Sequence, residues 1–398
     1  MSFTRPARET IDYTRYNRVG LVPGGAAYFA RLKQLIEKAT VSLHLQVYIF
    51  AADGTGREMA DWLIAAAARG VAVYVVADGY ASQHLPSSFV HRLRLAGVRF
   101  RFFEPVFRCK HYYFGRRLHH KVVVADGAAA LVGGINISDS YNDLPGRPAW
   151  FDYALYTEGE AAAALCELCC NTWRGFSSAT DLLPCNAGRQ PLPVSDEESC
   201  YVALRRNDWV RGKIQVSRCY LEMFRQARSE IVVVSSYFLP GRLFRKYMYA
   251  AVQRGVKVKI VLAGVSDIAI AKQAERYMYR RLLRRGIEIY EYHRAVLHAK
   301  MAICDDNRLT LGSYNVNNIS AFASVELNLD VSDGPFTRSV KQQVESIIAA
   351  DCTRVTEDDF YSNNHLLRRL WQETCYGLIR FLLFLFTFYF RQEHYPKK

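Results

Sequence analysis

The chain has 398 residues, half of them apolar. That is enough for two domains of ordinary size or a fused pair of repeats, and too apolar for a disordered protein. Its 52 lysines and arginines against 38 acidic residues leave a net charge of +14, which points to an anionic partner: nucleic acid, a phospholipid surface or a phosphorylated substrate.

The N-terminus, MSFTRPARET, has no apolar segment of the signal-peptide kind. A helix is predicted near 26–39, then a strand in VSLHLQVYIF (41–50), which ends in an aromatic segment at Tyr48. A helical stretch over 56–68 leads into RGVAVYVVADG (69–79), a β-branched strand closed by Gly, and AGVRFRFF (96–103) reads as a third strand. The segment FEPVFRCKHYYFGRR (103–117) is an aromatic and basic insertion relative to the second half. The Ala-rich stretch 160–170 reads as a helix. Its Cys166, Cys169 and Cys170 read as thiols, because no second Cys/His pair at zinc spacing follows. Ten cysteines without a framework spacing imply free thiols and a reducing compartment. Residues 176–213, with Ser177, Ser178, Pro184, Pro191, Pro193 and an SDEES stretch, read as a linker.

The second half repeats the first at a spacing of about 180–190 residues, far beyond a solenoid period, which signals domain duplication. Helices near 216–228 and 242–253 alternate with strands in IVVVSSYFLP (231–240, aromatic at Tyr237), RGVKVKIVLAG (254–264) and RGIEIYEY (285–292). The expected fold class is therefore α/β, with two duplicated domains packed about a pseudo-twofold axis and helices flanking each sheet. The expected bounds are 1–190, 191–350 and a tail over 351–398.

Each half then carries one motif. HHKVVVADGAAALVGGIN (119–136) and HAKMAICDDNRLTLGSYN (298–315) align without gaps. The fixed members are His119, Lys121, Asp126, Gly133, Gly134 and Asn136, against His298, Lys300, Asp305, Gly312, Ser313 and Asn315. His and Lys two apart on extended backbone share a face, and a Gly-rich return brings Asn beside the Lys. An imidazole, an ammonium and an amide at one spot suit a phosphodiester, with Lys and Asn on the non-bridging oxygens and His as nucleophile or acid. One motif offers one His. Two facing motifs supply both a nucleophile and an acid, and two lysines stand in for a metal cation, so neither metal nor cofactor is expected. Asp126 and Asp305 are counted with the catalytic set, although their place at the far end of each strand favours a strand anchor. Asp152 (AWFDYAL) and Glu326 (SVELNL) follow the motifs in apolar strands and are candidate orienting acids.

These residues resemble the phospholipase D superfamily, whose signature is this duplicated His-Lys-Asp motif. Tyr48–Arg57 (YIFAADGTGR) and Ser236–Pro240 (SYFLP) resemble the bacterial cardiolipin synthases of the B type, which lack N-terminal transmembrane helices. The resemblance covers about 20–335. It implies that His119 attacks the phosphorus of a phosphatidyl donor while His298 protonates the departing alcohol. A second phosphatidylglycerol then resolves the phosphatidyl-histidine, giving cardiolipin and glycerol. It also implies that Lys121, Lys300, Asn136 and Asn315 hold the phosphate. Other phosphatidyltransfer, from phosphatidylethanolamine, and nuclease activity are the alternatives within the superfamily.

Residues 376–390, YGLIRFLLFLFTFYF, are interrupted by Arg380 and shorter than the roughly 20 residues a crossing needs. With Arg368, Arg369 and Trp371 upstream, the segment reads as lying in the headgroup boundary. Arg205, Arg206, Arg211, Lys213 and Arg218, and Arg280, Arg281, Arg284 and Arg285, are further basic sets for anionic lipid. The expected partners are anionic phospholipids, phosphatidylglycerol first, on a membrane surface. Nucleic acid is not expected, and an oligomer is left open. The expected location is the cytoplasmic face of the inner membrane, held peripherally.

Overall fold

The β-branched runs of each half form strands, and the Ala- and Leu-rich segments between them form helices. The computed structural model describes residues 12–105, 116–175, 199–317, 320–321, 323–362 and 366–394. The first sheet has seven strands in the order Asn17–Pro23, Tyr153–Gly159, Ala129–Gly133, Val122–Ala125, Ser42–Val47, Ala72–Asp78 and Arg99–Phe103. The second sheet repeats that order with Tyr201–Asp208, Ser324–Ser332, Arg308–Gly312, Met301–Cys304, Glu230–Ser235, Lys257–Ala263 and Glu288–Tyr292. In each, the last three strands run parallel and the motif hairpin runs antiparallel beside them.

The repeated Arg-Gly-Val has a mechanical reason. Gly70 and Gly255 end the helices Gly54–Ala68 and Arg242–Gln253 with φ of 89° and 88°, a left-handed backbone that costs glycine little. The next amides, Val71 and Val256, donate back to Ala66 and Ala251 and start the strand turn.

Each half has its own apolar core on one face of its sheet. A third core is common to both. Val122, Val132 and Leu155 join Met301, Leu311 and Leu327 between the sheets, with the helix Glu160–Arg174 and the helix Gly334–Asp351 packed against them. This burial fixes the sheets against each other and lets two distant motifs meet.

Three expectations change. Tyr201–Asp208 is a full strand of the second sheet, paired with Ser324–Ser332, where a linker was read to residue 213. Its polar residues are compensated inside: Arg205 is buried on Asp330 at 2.6 Å. Arg205 therefore cannot serve a lipid surface. Cys352–Val355 pairs with Glu288–Tyr292, so the second sheet runs past residue 350. The linker stretch 176–198 and residues 106–115 of the insertion lie outside the described residues.

The helix Leu366–His394 docks by one face on the helix Ala269–Leu283. Gln372 and Cys375 are buried, and the Tyr376 ring stacks on Tyr277 at 4.7 Å. Its other face leaves Leu367, Leu370, Trp371, Leu378, Phe381 and Leu382 exposed. Among the described residues no helix is long and apolar enough to cross a membrane.

Candidate active site

Each motif is a lead-in, a strand, a tight turn and a returning strand. The turn uses Asp126 at φ 54° and, in the second half, Asp305 at φ 50°. Asp126 accepts from the amides of Thr40, Val41 and Ser42 at 2.8–2.9 Å and from the Thr40 hydroxyl at 3.0 Å. Asp305 accepts from Ser229 N and Oγ, both at 2.8 Å, and from Arg228 N and Glu230 N, each at 3.1 Å. Burial alone would raise the Asp305 carboxyl, but the Ser229 and Glu230 amides hold it below its ordinary range. Both carboxylates sit roughly 16 Å along the strand from the motif lysine. The structure does not bring them to the histidines, which corrects their place in the catalytic set. They clamp the hairpin to the start of the neighbouring strand. Asp126→Ala is expected to cost about 2 kcal/mol of stability, visible as a melting temperature several degrees lower, with the turnover of the folded protein kept. Full stability with lost turnover would return Asp126 to the chemistry.

The other ends of the hairpins converge. The amide of His119 donates to Val325 O of the second half at 3.0 Å, and the amide of His298 donates to Phe151 O of the first half at 2.7 Å. Val325 and Phe151 are the residues just before Glu326 and Asp152. Each acid therefore lands beside the histidine of the opposite half: His119 Nδ1 is 2.9 Å from Glu326 Oε2, and His298 Nδ1 is 2.7 Å from Asp152 Oδ2. The candidate orienting acids thus lie beside the imidazoles in crossed pairs. Among the described residues, neither motif histidine has a carboxylate partner from its own half.

Gly134 and Ser313, the point where the motifs differ, match the two acids. A Cβ at Gly134 would stand 2.4 Å from an Asp152 oxygen, so only glycine leaves room for that carboxylate. At the equivalent place Ser313 donates its hydroxyl to Glu326 Oε2 and accepts from the amide of Leu327 at 3.0 Å. The shorter acid goes with glycine and the longer one with serine.

His120 turns the other way, its Nδ1 3.0 Å from Gln46 Oε1. Lys121 and Lys300 are buried, and each Nζ donates to the carbonyl of its own motif histidine. Burial drives the Lys121 ammonium well below its ordinary range and brings Lys300 down to about 8, with Glu326 and Asp152 opposing the effect. Burial likewise lowers both histidines, with Lys121 and Lys300 adding to it at each; Glu326 opposes the effect at His119, and His298 falls further. Burial also pushes Asp152 up to about 7 against Lys300. Two buried ammoniums without a bound anion are costly, and an incoming phosphate would relieve both.

Asn136 and Asn315, read as phosphate ligands, are both buried at the site. Asn136 accepts from Ile49 N at 3.1 Å and donates to the Tyr141 hydroxyl at 2.8 Å, which lies 3.2 Å from His298 Nε2. Asn136 thus reaches His298 through Tyr141. Asn315 Oδ1 accepts from Ser236 Oγ at 2.9 Å. Tyr48 stands edge-on to His119 with ring centres 4.8 Å apart, and Tyr141 does the same to His298 at 5.0 Å. Trp150 flanks His298 at 5.8 Å. Tyr141 and Trp150 were not legible as site residues. They lie outside the gapless motif, and Ser320 occupies the position equivalent to Tyr141.

Among the described residues, the His/Cys/Asp/Glu group close enough for a metal is His44, Cys166 and Cys170, with ligand atoms within 4.8 Å of one another. It offers three ligands, one short of a closed tetrahedral site, and none of them belongs to the motifs.

Two imidazoles, each paired with a carboxylate from the opposite half and flanked by a lysine, define a phospholipase D-type site for phosphodiester transfer. The family model "Cardiolipin synthase, PLD-like domain" matches residues 32–145 and 220–348. The chain belongs to this phospholipase D-like cardiolipin synthase family. Cardiolipin synthase B of Escherichia coli is 33% identical over 344 residues, 86% of this chain and 83% of that protein. Cardiolipin synthase of Halalkalibacterium halodurans is 28% identical over 375 residues, 93% of this chain and 73% of that protein. Among solved structures, phosphatidylserine synthase of Haemophilus influenzae has the same fold, with a TM-score of 0.72 over 95% of this chain and 97% of that one at 14% identity.

Proposed function

We propose that the chain is a cardiolipin synthase, transferring a phosphatidyl group between two phosphatidylglycerol molecules through a phosphatidyl-histidine at His119. The observation that carries the division of roles is the different hydrogen bonding of the two imidazoles. Glu326 Oε2 already accepts from the Ser313 hydroxyl, so it acts as an acceptor and His119 Nδ1 carries the proton. His119 Nε2 is then a bare lone pair, and burial keeps the ring neutral. At His298 the network reads the other way. Lys300 Nζ lies 3.0 Å from Nδ1, and burial raises Asp152 to about 7, so a substantial fraction of its carboxyl is protonated at neutral pH. Nδ1 of His298 accepts, so Nε2 carries the proton.

His119 Nε2 attacks phosphorus as the bond to the glycerol oxygen breaks, and His298 Nε2–H protonates that oxygen while the Asp152 proton passes to Nδ1, so the ring stays neutral. In the second step His298 Nε2 takes the proton from the free hydroxyl of a second phosphatidylglycerol, and Nδ1 returns its proton to Asp152. That oxygen attacks phosphorus, and His119 leaves with its electron pair. Lys121 and Lys300 oppose the phosphate charge, and Asn315, whose oxygen accepts from Ser236, donates its amide N–H to the phosphate in this reading. Product analysis tests the reading: phosphatidylglycerol vesicles should yield cardiolipin and glycerol in equal amounts. Phosphatidic acid as the main product, or faster release of nucleotides from DNA, would overturn it.

The pH dependence follows from the same groups. Asp152 loses its proton near 7 and Lys300 near 8; the first proton serves the acid and the second binds the phosphate. The second-order rate constant kcat/KM is therefore expected to fall as pH rises through 7–8, and Lys300→Arg should move the upper part of that limb to higher pH. A limb unmoved by the substitution would remove Lys300 as its source.

The exposed apolar face of Leu366–His394 supports peripheral attachment to the membrane, at the cytoplasmic leaflet in this reading. Trp371→Glu with Phe381→Glu is expected to shift the protein from vesicle-bound to free in flotation at physiological salt. Unchanged flotation would assign attachment elsewhere.

A further inference from the structure

Beside the second motif lies a groove of ≈ 710 Å³ that the chemistry above does not use. One wall is the helix Arg242–Gln253 with Leu239 and Pro240 before it. A second is formed by Tyr314, Val316 and Asn317, at the end of the second motif, and a third is the C-terminal helix through Tyr376, Ile379 and Arg380. The wall segments are tied together, because Leu239 N donates to Val316 O at 2.9 Å and the Tyr314 hydroxyl lies 3.1 Å from Ser217 Oγ.

Two observations identify an occupant. The lining is mixed apolar and basic: Leu239, Leu243, Phe244 and Ile379 together with Arg218, Arg242, Arg245 and Arg380, with no carboxylate among the described lining residues. Arg218, Arg242 and Arg380 are exposed, and among the described residues none has an acidic partner. An apolar groove bearing uncompensated guanidiniums fits one molecule with both characters, a hydrocarbon chain attached to a phosphate. The second observation is position. The helix that lines the groove with Tyr376 and Ile379 carries exposed Leu378, Phe381 and Leu382 on its other face, and Leu243 of the groove lining is itself 56% exposed. A bilayer against that exposed face would lie one helix diameter, ~10 Å, from the groove, within the reach of an acyl chain.

We propose that this groove is the acyl-chain site for an anionic phospholipid, with an acyl chain along Leu239, Leu243 and Ile379 and a phosphate under Arg218, Arg242 and Arg380. This rests on the reading that the substrate is a phospholipid, and it adds where the substrate's hydrocarbon is held.

Photolabelling tests it without requiring turnover. The full chain and its His119→Ala form are irradiated on vesicles containing phosphatidylglycerol with a diazirine near the end of one acyl chain, and labelled peptides are mapped by mass spectrometry. Label in both forms is expected on 239–245 and 376–380, competed by unlabelled phosphatidylglycerol. The corresponding phosphatidylcholine probe should label these peptides several-fold less, and Arg242→Glu with Arg380→Glu should abolish that preference. Leu239→Trp, which fills the groove, should lower the kcat/KM preference for dioleoyl over dihexanoyl phosphatidylglycerol about tenfold, equal to about 1.4 kcal/mol. Label spread over the exposed helix face alone, or equal labelling by the two lipids, overturns the proposal. Cardiolipin synthesis in the same preparation scores the parent reading separately: groove label without cardiolipin would refute the activity and keep the site, and cardiolipin without groove label would do the reverse.

Discussion

Alanine at His119 or at His298 is expected to reduce cardiolipin formation at least about a thousandfold, yet a donor with a good leaving group should separate the two variants. With phosphatidyl-p-nitrophenol the departing phenolate needs no proton. His298→Ala should therefore release a burst of about one equivalent of nitrophenolate and then stall, because no base remains to activate the acceptor. His119→Ala should release none, since the bond-forming nitrogen is gone. The basis is the opposite proton placement on the two rings, with Glu326 and Ser313 leaving His119 Nε2 bare and Lys300 and Asp152 placing the proton on His298 Nε2. A burst from His119→Ala and none from His298→Ala would exchange the roles.

The crossed acids carry the second large effect. Glu326→Gln should behave like a His119 variant, although Glu326 lies 207 residues away, and Asp152→Asn like a His298 variant across 146 residues. Losses of about a hundredfold to ten-thousandfold in kcat are expected for each. Coupling decides the pairing. Glu326→Gln combined with His119→Ala should cost little beyond His119→Ala alone, whereas Glu326→Gln combined with Asp152→Asn should compound. Residues acting as one unit are non-additive in this way, and separate units are closer to additive. If Glu326→Gln were non-additive with His298→Ala instead, the dyads would lie within each half and the crossed geometry would be wrong.

Much of this was legible in the residues. The gapless repeat of His-x-Lys through Asn located both motifs, and the recurrence of Arg-Gly-Val before an apolar strand announced the duplicated sheet, since both signals depend on local backbone chemistry. Asp152 and Glu326 stood out as carboxylates in apolar strands. Their crossing was not legible, because it depends on how two sheets dock through a common core. Tyr201–Asp208 was hidden because Arg205 and Asp208 are charged, and only their partners, the buried Asp330 and the partly buried Arg116, make them tolerable in a strand. Tyr141 escaped because it lies where the repeats diverge, and repeat-based reading is blind there. Asp126 and Asp305 show the converse: membership in a repeated motif suggested chemistry, whereas their carboxylates are consumed by backbone amides at a turn.

The central claim is one site formed by both halves, with the covalent intermediate on His119. His298→Ala, incubated with the nitrophenyl donor and quenched in denaturant at mildly alkaline pH, should yield a single phosphatidylated peptide when digested and mapped by mass spectrometry under conditions that preserve phosphoramidates, with the added mass on His119. An adduct on another residue, or a burst of nitrophenolate with no adduct at all, would contradict the account.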